Sequence, residues 1–194
     1  MSGEHDGEGD PRYTAVYGGV VVRRDDPLKI GRVKVRVPGL IEPESGWALP
    51  GTIGGGSPGR GIYFVPEVGS EVDVWFTQGD PDHPRYICGN WTARGGVSSV
   101  NARVVGKSAE EAPKVKVIET ERWLIVLDDS DLTPALLLQD KQGLGDKIEF
   151  DGLTRQITLI ATTGITIQSL GAIDIKGLAV TLNGRPVLPS SEPI

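Results

Sequence analysis

The stretch Ile30-Gly31-Arg32-Val33-Lys34-Val35-Arg36-Val37-Pro38 sets valine at every second position with a cation between each pair. A period of two turns the valines to one face of a strand and Lys34 and Arg36 to the other, so the segment reads as a β-strand with one buried and one wet side. Upstream, residues 13–22 (YTAVYGGVVV) have the same β-branched and aromatic texture, and Asp25-Asp26-Pro27 cuts the two strands apart. Downstream, residues 38–61 form a long turn-rich connection that holds Trp47 and the run GTIGGGSPGRG. Residues 61–66 (GIYFVP), 71–76 (EVDVWF) and 84–91 (PRYICGNW) then supply three more strands, the last two joined by a turn at Asp80-Pro81-Asp82-His83-Pro84. Five strands in about 80 residues, with no helical period between them, predict a small closed β-barrel over residues 12–92, because closure removes exposed sheet edges. A five-stranded oligonucleotide/oligosaccharide-binding (OB) barrel is the expected form.

Composition agrees and narrows the function. Glycine (27) and proline (14) make up about a fifth of the 194 residues, which fits a turn-rich all-β chain rather than a helical or a low-complexity one. A formal charge of -6 disfavours broad attraction to nucleic acid or anionic membrane. Cys88 is the single cysteine, and His5 and His83 lie far apart, so neither an intrachain disulfide nor a cysteine or histidine metal cluster is expected. No apolar run reaches the 18 or so residues of a membrane span, and the acidic start MSGEHDGEGD lacks the basic and apolar regions of a signal peptide; the expectation is a soluble protein made in the cytoplasm. Residues 1–11 carry too little apolar surface to offset ordering and read as a mobile tail.

Residues 93–113 (ARGGVSSVNARVVGKSAEEAP) read as a polar hinge, and 114–194 as a different object. Strand-like stretches KVKVIET, RWLIVLDD, PALLLQD and KIEFDG lead into a short repeat: Ile157-Thr158-Leu159, Ile165-Thr166-Ile167 and Ile173-Asp174-Ile175, eight residues apart, then a seven-residue step to Val180-Thr181-Leu182. Gly164, Gly171, Gly177 and Gly184 punctuate it, so each unit reads as a three-residue strand and a tight turn of a β-solenoid or β-prism. One chain cannot close a core from units this short. Three chains about a common axis can, and the expectation is an intertwined trimeric β-helical shaft with Ile148, Phe150, Ile157, Leu159, Ile165, Ile167, Ile173, Ile175, Val180 and Leu182 inside.

These residues resemble a known family. G19-V-V-V-R-R-D25-D26-P27-L28-K-I-G31-R32-V-K-V-R-V-P38, W47-A-L-P50, F64-V-P-E67-V-G69-S-E71-V and Q78-G-D80-P81-D-H-P84 resemble the OB domain of phage baseplate central spikes. The relatives include the valine-glycine-repeat spikes of type VI secretion and the spikes of extracellular contractile injection systems. R122-W-L-I-V-L-D128-D129-S, I148-E-F-D151, the ladder and L182-N183-G184-R185-P186-V187 resemble their shaft, so the likeness covers residues 13–188. It implies a homotrimer whose barrel docks on the baseplate hub and tail tube and whose shaft points at the target envelope, in a virion or injection particle assembled in the bacterial cytoplasm. Some such spikes insert a lysozyme domain between barrel and shaft; here only residues 93–113 intervene, so no muramidase is expected. Some end in an iron-binding His-x-His apex; both histidines here lie outside the shaft, so no iron is expected. The ending resembles spikes that carry a separate proline-alanine-alanine-arginine-type cone, with Asn183, Gly184, Arg185, Pro186, Val187 and Leu188 as its platform.

Other features have plainer readings. Asp128, Asp129 and Asp131 could form a carboxylate or cation site, but read as a strand end and turn. Gly54-Gly55-Gly56-Ser57-Pro58-Gly59-Arg60 lacks the Gly-Lys-Ser/Thr ending of a phosphate loop. His83 reads as a solvent-facing turn residue and Cys88 as a small buried one. Trp75, Trp91 and the tyrosines could stack bases beside a basic strip of Arg32, Lys34, Arg36 and Arg60, which leaves an OB-type nucleic-acid or glycan binding module with an oligomerising stalk as the alternative. No catalytic residue, cofactor or metal is expected, and a β-solenoid glycan hydrolase finds no well-placed carboxylate pair.

Overall fold

The computed structural model describes residues 13–52, 57–89, 91–94 and 97–187. The expected tail at residues 1–11, the burial of Cys88, the core of the glycine run at 53–56 and Leu188 of the tip platform fall outside what it describes. The chain is all-β with almost no helix, and forms two compact units that divide between Ser99 and Val100.

In the first unit, β1 (Tyr17–Arg23), β2 (Lys34–Arg36), β3 (Leu49–Pro50), β4 (Glu71–Phe76) and β5 (Pro84–Cys88) make one curled, OB-like sheet in the order β2-β1-β4-β5-β3. Neighbours run antiparallel except β3, which is parallel to β5. The two edges meet: Val33, next to β2, and Ala48, next to β3, exchange both backbone hydrogen bonds, at 3.2 and 2.8 Å. Alternation then does what the valines require. Val33, Val35 and Val37 turn inward to join Val21, Ala48, Val72, Val74, Phe76 and Tyr86 in the core, while Lys34 and Arg36 stay partly wet.

One strand differs from expectation. Residues 61–66 form no strand, and Ile62, Tyr63 and Phe64 stand exposed; the fifth strand is Leu49–Pro50, inside the stretch read as a turn-rich connection. The reason is positional. Ala48 and Gly51 pair with Val33 and Tyr86, so this short segment bridges the two edges of the curled sheet, and strand propensity in GIYFVP finds no free edge there.

The segment Asp26-Pro27-Leu28-Lys29-Ile30-Gly31-Arg32 is tied by one carboxylate. Asp26 accepts hydrogen bonds from the backbone N–H of Leu28 (3.0 Å), Ile30 (2.9 Å) and Arg32 (3.2 Å) and from the Arg32 guanidinium at 2.6 Å. The Arg32 bonds, reinforced by those backbone donors, hold its carboxyl well below the usual carboxylate range despite desolvation. Gly31 closes the loop at φ 84, and its carbonyl accepts 2.6 Å from the buried Tyr86 hydroxyl on β5. A side chain fits less well at Gly19 in β1, where an added Cβ would lie 2.8 Å from the Val74 side chain. Gly19→Ala is therefore expected to cost about 1–2 kcal/mol by overpacking, measurable as a lower midpoint in urea.

The stretch 93–113 carries a two-stranded hairpin, β6 (Ala93–Arg94) with β7 (Val97–Ser98), a single helical turn α1 (Ala102–Val105) capped by the Asn101 side chain, and a 3-10 turn at Ala112–Lys114. The second unit is built on an antiparallel meander: β8 (Val115–Glu119), β9 (Trp123–Asp128), β10 (Ala135–Asp140), β11 (Lys147–Asp151) and β12 (Gln156–Ile160), each strand paired with the next. Val115, Leu124, Val126 and Leu137 form its small core on one face, with Val104 and Val117 packed on them. Residues 161–180 form no strand with the rest of the chain, so the three-residue strands expected at Ile165–Ile167 and Ile173–Ile175 are not made within one chain. A short hairpin follows, β13 (Thr181–Leu182) with β14 (Arg185–Pro186), turned by Asn183 (φ 51) and Gly184 (φ 74). Positive φ at both central residues is what a two-residue hairpin turn demands and what an Asn-Gly pair supplies.

Candidate assembly interface

Directly opposed residues in an antiparallel meander share a face, so register decides which side chains stand together. Two rows cross all five strands of the second unit. One runs Ile118, Ile125, Leu138, Ile148, Leu159; the other runs Lys116, Leu127, Leu136, Phe150, Ile157. Nine of these ten residues are large and apolar, and all but the half-buried Ile125 are exposed, from 39% at Ile148 to 62% at Ile157. The opposite face differs: over β8–β10 it holds the small core beside Glu119, Asp128 and Gln139, and over β11 and β12 it carries Lys147, Glu149, Asp151 and Thr158 with Ile160.

Ion pairs lie on both faces. Beside the apolar rows Arg122 reaches Asp140 at 2.7 Å and stacks on Trp123, Lys116 within the second row meets Asp129 at 2.6 Å, and on the opposite face Lys147 meets Glu149 at 2.5 Å. A hollow in this unit is lined by Leu138, Ile148, Leu159 and Ile165 together with Arg122, Asp140 and Lys147. The structure thus brings Ile148, Phe150, Ile157, Leu159 and Ile165 of the expected shaft interior onto one surface. Ile167, Ile173, Ile175 and Leu182 are exposed and Val180 is half-buried, all beyond the meander. Of the tip platform, Asn183 to Pro186 form the hairpin and its turn, and Val187 donates to the Val180 carbonyl at 2.8 Å.

Sequence reasoning missed Ile118, Ile125, Leu127, Leu136 and Leu138. The signal for the last four was present in Trp123–Asp128 (WLIVLD) and Ala135–Asp140 (ALLLQD), which are apolar at consecutive rather than alternate positions and so need cover on both faces.

The acidic group at the end of β9 is structural. Asp128 is buried, accepts from the Ser130 N–H at 2.9 Å, and pairs with Lys107 at 2.9 Å. Burial alone would raise its carboxyl, but the Ser130 and Lys107 hydrogen bonds outweigh that and set it at about 2. Asp129 and Asp131 are engaged by Lys116 and Lys114. In the first unit, Arg32, Lys34 and Arg36 pair with Asp26, Glu44 and Glu42, while Arg32 and Lys34, with Arg23, also lie over Trp47. The basic strip that would serve nucleic acid is thereby largely neutralised within the chain. His83 lies exposed in its turn beside Asp80, at 2.8 Å. Among the described residues no group of three or more His, Cys, Asp or Glu could hold a metal, and no helix is long and apolar enough to cross a membrane.

Residues 17–91 match the family model of the type VI secretion system/phage-baseplate injector OB domain. The match spans β1 to β5, which is the curled sheet. No individual curated protein matches the chain.

Proposed function

We propose, from the match of residues 17–91 to the injector OB-domain model of type VI secretion systems and phage baseplates, that this protein is the homotrimeric central spike of a phage-tail-like baseplate. The family supports a structural baseplate role, assembly with other baseplate or tail components, and residence in a virion or injection particle. The finer reading is ours. The barrel docks on the hub beneath the tail tube, the second unit forms the shaft, and the Asn183–Pro186 turn and hairpin with Val187 and Leu188 present a platform to a separate cone-shaped tip protein.

One observation carries this reading. An injector OB domain is followed in the same chain by a five-stranded sheet whose apolar face is uncovered, continuing into an eight-residue repeat whose middle part, residues 161–180, forms no strand. A chain so arranged gains stability by winding with copies of itself, and a shaft closed by backbone pairing between chains resists bending, so axial force reaches the tip. The role is mechanical; no catalytic step is assigned to it.

Light scattering on the purified protein is expected to give three copies of the 20.7 kDa chain, about 62 kDa, and the oligomer is expected to resist detergent on an unheated gel. A single-chain mass overturns the spike reading. Loss of residues 178–194, which include the hairpin, should abolish tip-protein binding and leave the barrel folded; retained binding removes the platform assignment.

A further inference from the structure

We propose that copies of this chain first associate through the meander face of β8–β12, and that the ladder at residues 161–187 orders afterwards on the template so formed. The inference rests on the trimeric spike reading and says where in the chain that trimer is specified.

The argument begins with what each segment completes alone. The meander makes all its internal strand pairs within one chain and buries Val126 and Leu137 fully, so it can form before a partner arrives, with only the outer edges of β8 and β12 left without a strand. Its second face does need cover: eight large apolar residues stand exposed in two adjoining rows, a contiguous apolar face of the kind that marks an interaction site. Residues 161–180 have the opposite balance. They hold few apolar side chains per turn, make no strand with the rest of the chain, and leave Ile167, Ile173 and Ile175 exposed. Such a segment gains too little from burial to order before its partners are in place.

The occupant of the face is a second copy of this chain, for three reasons on the molecule. The rows run without a break into the repeat: Ile157 and Leu159 end the two rows on β12 and also begin the eight-residue spacing that leads to Ile165 and Ile167. A repeat of that spacing is matched by an identical repeat, in register, from a copy. The charged residues on and beside the rows are paired within their own unit, Arg122 with Asp140 and Lys116 with Asp129, so the face offers no uncompensated charge for a partner of opposite sign to read.

Two full-length double variants separate the segments, with native mass by light scattering and hydrogen exchange as readouts. Leu136→Glu/Leu138→Glu places charges on the face, at residues already exposed in the single chain. It is expected to run at single-chain mass with an intact barrel. Ile173→Glu/Ile175→Glu alters the ladder. It is expected to keep the trimer mass while amides at 161–180 exchange as in an unfolded chain. Should the first variant lose its strand signal in circular dichroism, the milder Leu138→Ala replaces it. Leu138→Ala is then expected to raise the concentration at which the trimer dissociates at least tenfold, and Ile173→Ala less than threefold. A ladder variant that falls to single-chain mass, or a face variant that stays trimeric, overturns the proposal while leaving the trimer itself standing. A wild-type protein of single-chain mass overturns the spike reading and this inference with it. Single-chain wild type that floats with lipid vesicles would assign the face to a membrane instead.

Discussion

Replacing Lys107 with methionine is expected to destabilise the second unit by about 3 kcal/mol, because it leaves a buried carboxylate without its counter-ion. Asp128 is 5% exposed, and the Lys107 ammonium lies 2.9 Å from it and 2.8 Å from the Ser130 hydroxyl. The same ammonium reaches the Thr133 hydroxyl, so one cation joins the segment after α1 to the turn that follows β9. Hydrogen exchange at the amides of β9 and β10 reads the loss directly, as faster opening in the variant. Adding Asp128→Asn to Lys107→Met removes the charge that was stranded and should recover part of the loss. If Lys107→Met alone exchanged like wild type, the pair would be a surface contact and not an anchor. The same carboxylate sets an acid limit. Its value of about 2 in the folded chain lies below the 3.8 of an ordinary aspartate, so the folded state binds this proton less readily. The resulting stabilisation, about 2 kcal/mol, is complete above about pH 5 and is lost as the pH falls from there through about 2. In the Asp128→Asn background that part of the acid dependence should vanish.

Tyr86→Ala is expected to cost the barrel about 4 kcal/mol, equivalent to roughly 20 °C in melting temperature for a unit of this size. Tyr86 is 1% exposed, sits on β5 among Val33, Val35, Val72 and Val74, and donates its hydroxyl to the Gly31 carbonyl at 2.6 Å. Truncation leaves a ring-sized cavity and an unpaired carbonyl in the loop held by Asp26. Tyr86→Phe keeps the ring and loses only the hydrogen bond, so its cost should be about 1–2 kcal/mol. The difference between the two variants, read from urea unfolding followed by tryptophan fluorescence, separates packing from hydrogen bonding. Equal losses would mean that the cavity closes and that the hydroxyl alone matters.

The contrast between the two units shows how far a linear pattern carries. Val33, Val35 and Val37 alternate with charged residues and are buried as alternation requires, since a strand with one wet face writes its orientation into every second residue. The Asn183-Gly184 turn, of which the repeat spacing marked only Gly184, also has a local cause: φ above zero at two successive positions favours that pair of residues. Residues 61–66 misled because strand propensity measures how well a segment would fit a sheet and carries nothing about whether a sheet edge is free to receive it. Leu49–Pro50 is a strand because Val33 on one side and Tyr86 on the other hold it there.

The assembly face follows the same logic at larger scale. Ile148, Phe150, Ile157 and Leu159 were recognisable from their spacing, since they alternate with polar neighbours. Leu127, Leu136 and Leu138 were not, because they lie in runs that are apolar at successive positions, and such a run does not say which of its residues face the unit's own core. By itself, the sequence determined that the chain is all-β, that an OB-type barrel precedes a repeat, and which residues of the alternating strands turn inward, because each of these follows from neighbours within a few positions along the chain. Only the tertiary structure decided that Leu49–Pro50 joins the barrel, that Lys107 anchors Asp128, and that two rows of apolar residues from five strands lie on one open face. Those depend on register and on pairings between residues far apart in the chain, and a strand's register is set by the partners it meets rather than by its own residues.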